Sequence, residues 1–174
     1  MCYDDDPLDT PFTVIFDYRE RRPFRFANIR SSKRHGGKFV RVHTQPGYLM
    51  TADYSIAGLT DRIGIERKSK DDLFDTMGRG RDRFRREFER LSEMEFAAVV
   101  IESSLLEIVE RPPLHSRVSA ASVVNTIVSW QQRYPVHWWF TDARRYAEIV
   151  TFRMLERFYH EHVNASKAAV SSAV

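Results

Sequence analysis

The run Ile63-Gly-Ile-Glu-Arg-Lys68 constrains the fold of this chain more than any other. Read as a strand, its side chains alternate, so Ile63, Ile65 and Arg67 share one face while Gly64, Glu66 and Lys68 share the other. The two isoleucines form an apolar back that fixes the register, because a slip of one residue would turn both toward the polar side. A carboxylate and an ammonium therefore point the same way from one strand end. That pairing is odd for a core and natural for a site.

Other apolar runs bounded by turn residues predict strands at 12–17, 39–44, 48–54, 96–102 and 136–140. Helices are expected at 71–77, 81–94, 119–133 and 142–162. In the second of these, Phe84, Phe88 and Leu91 recur at i, i+4 and i+7. Strands come first and mixed α and β follow, which predicts a three-layer α/β/α fold with a central mixed sheet. The aromatic strand Trp138-Trp139-Phe140 is expected to pack against the last helix. At 174 residues the chain is long enough for one domain, placed at 12–162, with 1–11 and 163–174 as flexible ends.

The lone Cys2 excludes an internal disulfide and a Cys-x-x-Cys metal site. No stretch reaches the roughly 20 apolar residues of a membrane span, and the acidic N-terminus lacks an apolar signal region. The expected setting is intracellular, cytoplasmic or nuclear according to the source, not secreted and not membrane-bound. No P-loop motif supports ATP use. The formal net charge is only +3, yet from Asp17 to Arg41 nine basic residues stand against Asp17 and Glu20. Such a local excess suits contacts with phosphates.

Phosphodiester hydrolysis needs a hard divalent cation held by carboxylates, an activated water, and positive charge for the developing oxyanion. Asp53 and Glu66 are placed to hold the cation: the twelve residues between them suffice for a strand, a turn and a return strand. Lys68 then falls beside them. This acid, spacer, acid-x-Lys order is the layout of the PD-(D/E)xK nucleases. On a helical wheel with Phe84 at zero, Arg81 lies at about 60°, flanking the core side near the strand tips, where it would reach a phosphate. Arg83, Arg86 and Arg90 gather at about 200–260° as an outward, solvated stripe.

Glu66-Arg67-Lys68 followed by Asp72 resembles the ERK-x-x-x-D signature of the XPF/Mus-type structure-specific endonucleases. Asp53-Tyr54 stands where that family has Gly-Asp-Tyr, Asp17-Tyr-Arg-Glu20 resembles its early Asp-x-Arg-Glu element, and Gly80-Arg81 its Gly-Arg. The resemblance spans about residues 12–160. It implies a restriction-endonuclease-like nuclease with Asp17, Asp53 and Glu66 facing the metal, Arg67 and Lys68 required for cleavage, and Asp72 completing the motif. The strand reading puts Arg67 on the face away from the metal, where it would pair with a neighbour such as Asp72 or with a phosphate. Mg²⁺ is the expected cofactor, with Mn²⁺ as a substitute. DNA is the expected partner, contacted by Arg19, Arg81, Lys33, Arg34 and Lys38.

Two departures from the family pattern stand out. Ala52 replaces the glycine before the aspartate, which an extended backbone tolerates and a positive φ does not. The residues after His162 are too few for the family's tandem helix-hairpin-helix modules. The expected function is a metal-dependent DNA endonuclease acting on branched, flap or fork DNA in repair or recombination, as a homodimer or with a DNA-binding partner. The alternatives are a catalytically silent DNA-binding module and a general PD-(D/E)xK nuclease without branch preference.

Overall fold

The structure is a computed structural model that describes residues 6–31 and 36–171, with side chains described as far as residue 165. Its strands are β1 (Leu8–Asp17), β2 (Ile29–Arg30), β3 (Phe39–Gly47), β4 (Tyr54–Ile56), β5 (Ile63–Lys68), β6 (Phe96–Ile101) and β7 (His137–Phe140). Among the described residues they form one mixed sheet in the order β2-β3-β1-β4-β5-β6-β7. Strand β1 is parallel to β3, and β5, β6 and β7 are mutually parallel. Between them β4 runs antiparallel to both β1 and β5. The start of β4 therefore meets the ends of β1 and β5, and this one reversal builds the site.

Helices cover both faces. On one side lies α5 (Arg144–Ser171), which continues past His162 to Ser171, so the helical run is longer than the sequence suggests. Its Phe152 and Leu155 pack with Val14, Ile63, Ile65, Ala98 and Val100 of the sheet. The other side carries α1 (Lys70–Met77), α2 (Arg81–Leu91), α3 (Leu105–Glu110) and α4 (Ala120–Arg133). Their core holds Phe84, Phe88 and Leu91, as the periodicity predicts, with Ala97, Val99, Ile101, Ile127 and Trp130. Strand β6 is buried on both faces, and its side chains alternate between the two clusters. The fold is the expected three-layer α/β/α arrangement.

Two local expectations are corrected, and one helix is added. The 48–54 segment is irregular up to Asp53, and only Tyr54–Ile56 pairs as a strand. Helix α3 gave no periodic signal over its six residues. Trp138 packs on Phe84 and Phe88 of α2, with ring centroids 6.3 and 5.2 Å away, rather than on the last helix.

Candidate active site

Each charged group arrives by the backbone logic above. Asp17 closes β1 and Asp53 precedes β4. Their main chains join, the Asp17 amide donating to the Asp53 carbonyl at 2.9 Å. The Asp53 amide donates to the Ile65 carbonyl (3.1 Å), and the Arg67 amide donates to Asp53 Oδ2 (2.8 Å). The hairpin thus seats the Asp53 carboxylate beside the end of β5. Ala52, just before it, is buried with φ +72°, the left-handed region that its methyl group disfavours by about 1–2 kcal/mol. A glycine would adopt this turn without that cost; the alanine is held there by the flanking strand bonds.

Strand β5 divides as its alternation predicts. A Cβ on Gly64 would lie 2.6 Å from Met94 Sδ and 3.2 Å from Leu91 Cδ2, which fixes that face toward α2. Glu66 and Lys68 share it. The Lys68 ammonium is bonded to Glu66 Oε1 and sits 4.7 Å from the centre of the Phe84 ring. The Glu66 side chain is 4% exposed and that of Lys68 12%. Glu66 Oε2 is buried without any hydrogen-bond partner.

A third carboxylate stands here that sequence reading passed over. Glu87 of α2 lies beside Glu66 and lines the same cavity of about 850 Å³ as Asp17, Asp53 and Asp72. Burial, with the charge of Glu66 next to it, pushes the Glu87 carboxyl up to about 7. Burial and Glu66 likewise raise Asp53 well above the usual carboxylate range. Burial works against the Lys68 ammonium, but Glu66, Glu87 and Asp53 outweigh it and hold the group charged. Lys68 faces all three crowded carboxyls, and Arg90 also acts on Glu87. Among the described residues no group of three or more His, Cys, Asp or Glu is arranged to hold a metal ion.

This crowding has a pH signature. The folded chain keeps a proton on Glu87 up to about pH 7, whereas a free glutamate releases it near 4.5. Stability contributed by this group is therefore full below about pH 4.5 and lost as the pH rises to about 7; Asp53 acts in the same direction. In EDTA the melting temperature of Glu87→Gln is expected to fall less from pH 5 to pH 8 than that of the wild type. Parallel melting curves by circular dichroism would remove Glu87 from the crowded set.

Arg67 turns the other way, with its side chain 10% exposed. Its guanidinium grips Glu102 at both ends (2.7 and 2.9 Å) and reaches Glu20 at 3.3 Å, while Arg144 meets Glu102 at 2.8 Å. Its partners are thus Glu102 and Glu20, not Asp72. Asp72 stands instead in the first turn of α1, whose N-cap is Ser69: Ser69 Oγ donates to its carboxylate and accepts from its amide, while the carboxylate edges the cavity.

Asp17 differs from the role the resemblance implies. Its oxygens accept from the Arg19 amide (2.8 Å), from Arg19 Nε (2.7 Å) and Nη2 (2.9 Å), and from the Leu49 amide (2.9 Å). A carboxylate has about four lone-pair positions, and these are filled. Burial works to raise this carboxyl, but those hydrogen bonds hold it below the usual range. Asp17 anchors the two loops that frame the cavity, and Arg19 is its partner.

The expected DNA contacts divide. Arg81 donates to Thr126 Oγ1 (3.0 Å) under α4, and Arg83 and Arg90 line the cavity instead. Lys38 immediately precedes β3, whose parallel pairing with β1 puts that start at the opposite end of the sheet, about 26 Å from Gly47 at some 3.3 Å per residue. Lys33 and Arg34 lie outside the described residues.

The sequence matches the family model of the ERCC4 domain over residues 16–152. No curated protein matches it. Similar solved structures include XPF from Aeropyrum pernix in complex with DNA, at 22% identity and TM-score 0.61, covering 86% of this chain and 66% of that one. XPF from Aeropyrum pernix without DNA matches at 22% identity and TM-score 0.61, covering 84% and 61%. The chain thus spans just under two thirds of those proteins' length. At such identity the likeness is one of fold.

Proposed function

The chain belongs to the ERCC4 domain family, and on that premise we propose that it is a divalent-metal-dependent endonuclease that hydrolyses phosphodiester bonds in DNA, preferring forks, flaps or other branches. One observation carries the reading: Asp53, Glu66 and Lys68 meet at neighbouring strand ends, and one buried oxygen of Glu66 has no partner.

The residues fit a cation. Asp53 and Glu87 are driven toward their neutral forms for want of positive charge, and the donors are all oxygen, which suits Mg²⁺ or Mn²⁺. Asp53 and Glu66 would hold it. When bound, such a cation polarises the phosphate and eases attack by water at phosphorus. Lys68, charged and fixed beside both carboxylates, offsets negative charge as the bond to the leaving oxygen breaks. Arg67 positions rather than reacts: its amide holds Asp53 and its guanidinium holds Glu102 and Glu20. Arg83 and Arg90, about two turns apart on α2, face a phosphate entering the cavity.

Pairing with a second copy or a DNA-binding partner belongs to the same proposal. Leu105, Leu106 and Val109 of α3 and Val128 of α4 are exposed and support an apolar contact surface.

The test incubates the protein with end-labelled forks, flaps, linear duplex and single strands in Mg²⁺, Mn²⁺ or EDTA, with light scattering on the same preparation. Metal-dependent cutting near the branch is expected from an assembly larger than one chain. Forks bound but left intact in both metals would favour the silent module, and duplex cut as fast as forks would favour the general nuclease. Affinity should fall steeply with salt, as counterion release requires.

A further inference from the structure

A second cavity of about 1,010 Å³ opens on the α5 side of the sheet, lined by Phe16, Phe24, Arg25, Arg144, Arg145 and Glu148 among others. Arg21 and Arg22 line both this cavity and the catalytic one. The two spaces thus lie on either side of a single ridge of chain.

The arginines around that ridge fall into two sets. One set is spent on structure: Arg19 holds Asp17, and Arg67 and Arg144 hold Glu102. Arg145 donates to the carbonyls of Ala27 (2.7 Å) and Asn28 (3.0 Å) and pairs with Glu148 (3.1 Å). Arg144 donates to the carbonyls of Arg22 and Pro23. These bonds pin the loop from Arg22 to Asn28 onto α5. Phe26 and Asn28, held at φ of +52° and +57°, turn it sharply, and the buried Phe24 and Phe26 root it in the core.

The other set is unspent. The side chains of Arg21, Arg22 and Arg25 are exposed, and among the described residues their guanidinium groups meet no carboxylate and no hydrogen-bond acceptor. Two of these unpaired cations, Arg22 and Arg25, are mounted on a firmly held loop and Arg21 directly precedes it, while Glu148, the sole acidic residue of that cavity's lining, is already paired. A catalytic cavity in which carboxylates and arginines are mixed and a second cavity that is predominantly cationic present different surfaces to two polyanionic strands.

We infer that the α5-side cavity is a second strand-binding channel, which takes the sugar-phosphate backbone of a DNA strand other than the one being cut, with Arg21 and Arg22 standing between the two strands. The inference rests on the nuclease reading for the identity of the first strand. It gives a physical origin for branch preference: a linear duplex keeps its strands together, and a fork sends one to each side.

The test measures fluorescence anisotropy of a labelled fork with two single-stranded arms, and of a linear duplex of equal length, over a range of salt in EDTA. Arg25→Ala alters a residue that lines only the α5-side cavity and has no partner to lose. It is expected to reduce the salt slope for the fork by about 0.7–0.9, the value of one phosphate contact, and to leave the duplex slope unchanged. Arg83→Ala, on the catalytic side, is expected to lower both slopes. An Arg25→Ala protein whose fork slope is unchanged, or whose two slopes drop equally, would overturn the channel. Because this readout is binding, it is separate from cleavage: a wild type that grips forks without cutting them would sink the nuclease reading and leave the channel standing.

Discussion

Asp53→Ala is expected to lower the rate of fork cleavage by about a thousandfold or more while DNA binding is retained. The size follows from the role: a cation held by two carboxylates contributes several kcal/mol at the transition state, and each 1.4 kcal/mol is a factor of ten. Retention of binding follows from charge. The cations proposed to face a phosphate, Arg83 and Arg90, are untouched, and one carboxyl leaves the cavity. The main-chain bonds of Asp53 to Asp17 and Ile65 remain, so the hairpin keeps its place. The Arg67 amide loses its acceptor, a loss of about 1–3 kcal/mol set against relief of like-charge crowding with Glu66. Asp53→Asn, which keeps a side-chain oxygen, should show the same loss of cutting with less effect on melting. Gel-based cleavage and anisotropy on one preparation check both halves; binding lost in step with cutting would end the assignment of Asp53 as a ligand.

The part of the site carried by a single strand was legible because a period of two leaves no freedom. Once Ile63 and Ile65 face α5, Glu66 and Lys68 must face α2 and Arg67 must not. The hairpin between Asp53 and Glu66 was legible for a similar reason, since a short spacer forces a return. What crosses between elements was less visible. Glu87 sits at about −60° on the wheel that puts Phe84 at zero, mirroring Arg81 across the apolar face, so either could reach the strand tips. Tertiary packing decides: Arg81 falls under α4 at Thr126, and Glu87 falls beside Glu66. The flanking positions of an amphipathic helix held the signal, and acids there needed the same weight as arginines.

The basic segment shows the limit of reading charge along a chain. Nine cations between Asp17 and Arg41 look like one surface. Because β1 and β3 are parallel, the connection must return the length of the sheet, which leaves Arg21, Arg22 and Arg25 near the site and takes Lys38 to the far end. The strand expected at 48–54 failed for a related reason. The Leu49 amide bonds to the Asp17 carboxylate rather than to a neighbouring strand, and Tyr48 and Met50 stand in solvent.

Lys68→Met should be the most disruptive single change, and its effect should depend on pH and metal. The ammonium is the cation shared by Glu66, Glu87 and Asp53, in a site where Glu66 is 4% exposed. Removing one partner of a buried charge set commonly costs about 3–5 kcal/mol, because the remaining charges are left without compensation. Methionine keeps a long unbranched apolar side chain in the site, so lost volume alone would not account for the loss, although the cation over the Phe84 ring goes too. At pH 8 in EDTA the melting temperature is therefore expected to drop sharply. Near pH 5 the drop should shrink, since Asp53 and Glu87 already lean toward their neutral forms and can take up protons in place of the missing cation. Mg²⁺ or Mn²⁺ should restore part of the stability at pH 8, because a ligand that binds the folded chain alone stabilises it by mass action. Cutting should stay lost under all of these conditions. A Lys68→Met protein that melts with the wild type at every pH and ignores divalent ions would show that the carboxyls do not depend on one another's charge, and the case for a shared cation would fall with it.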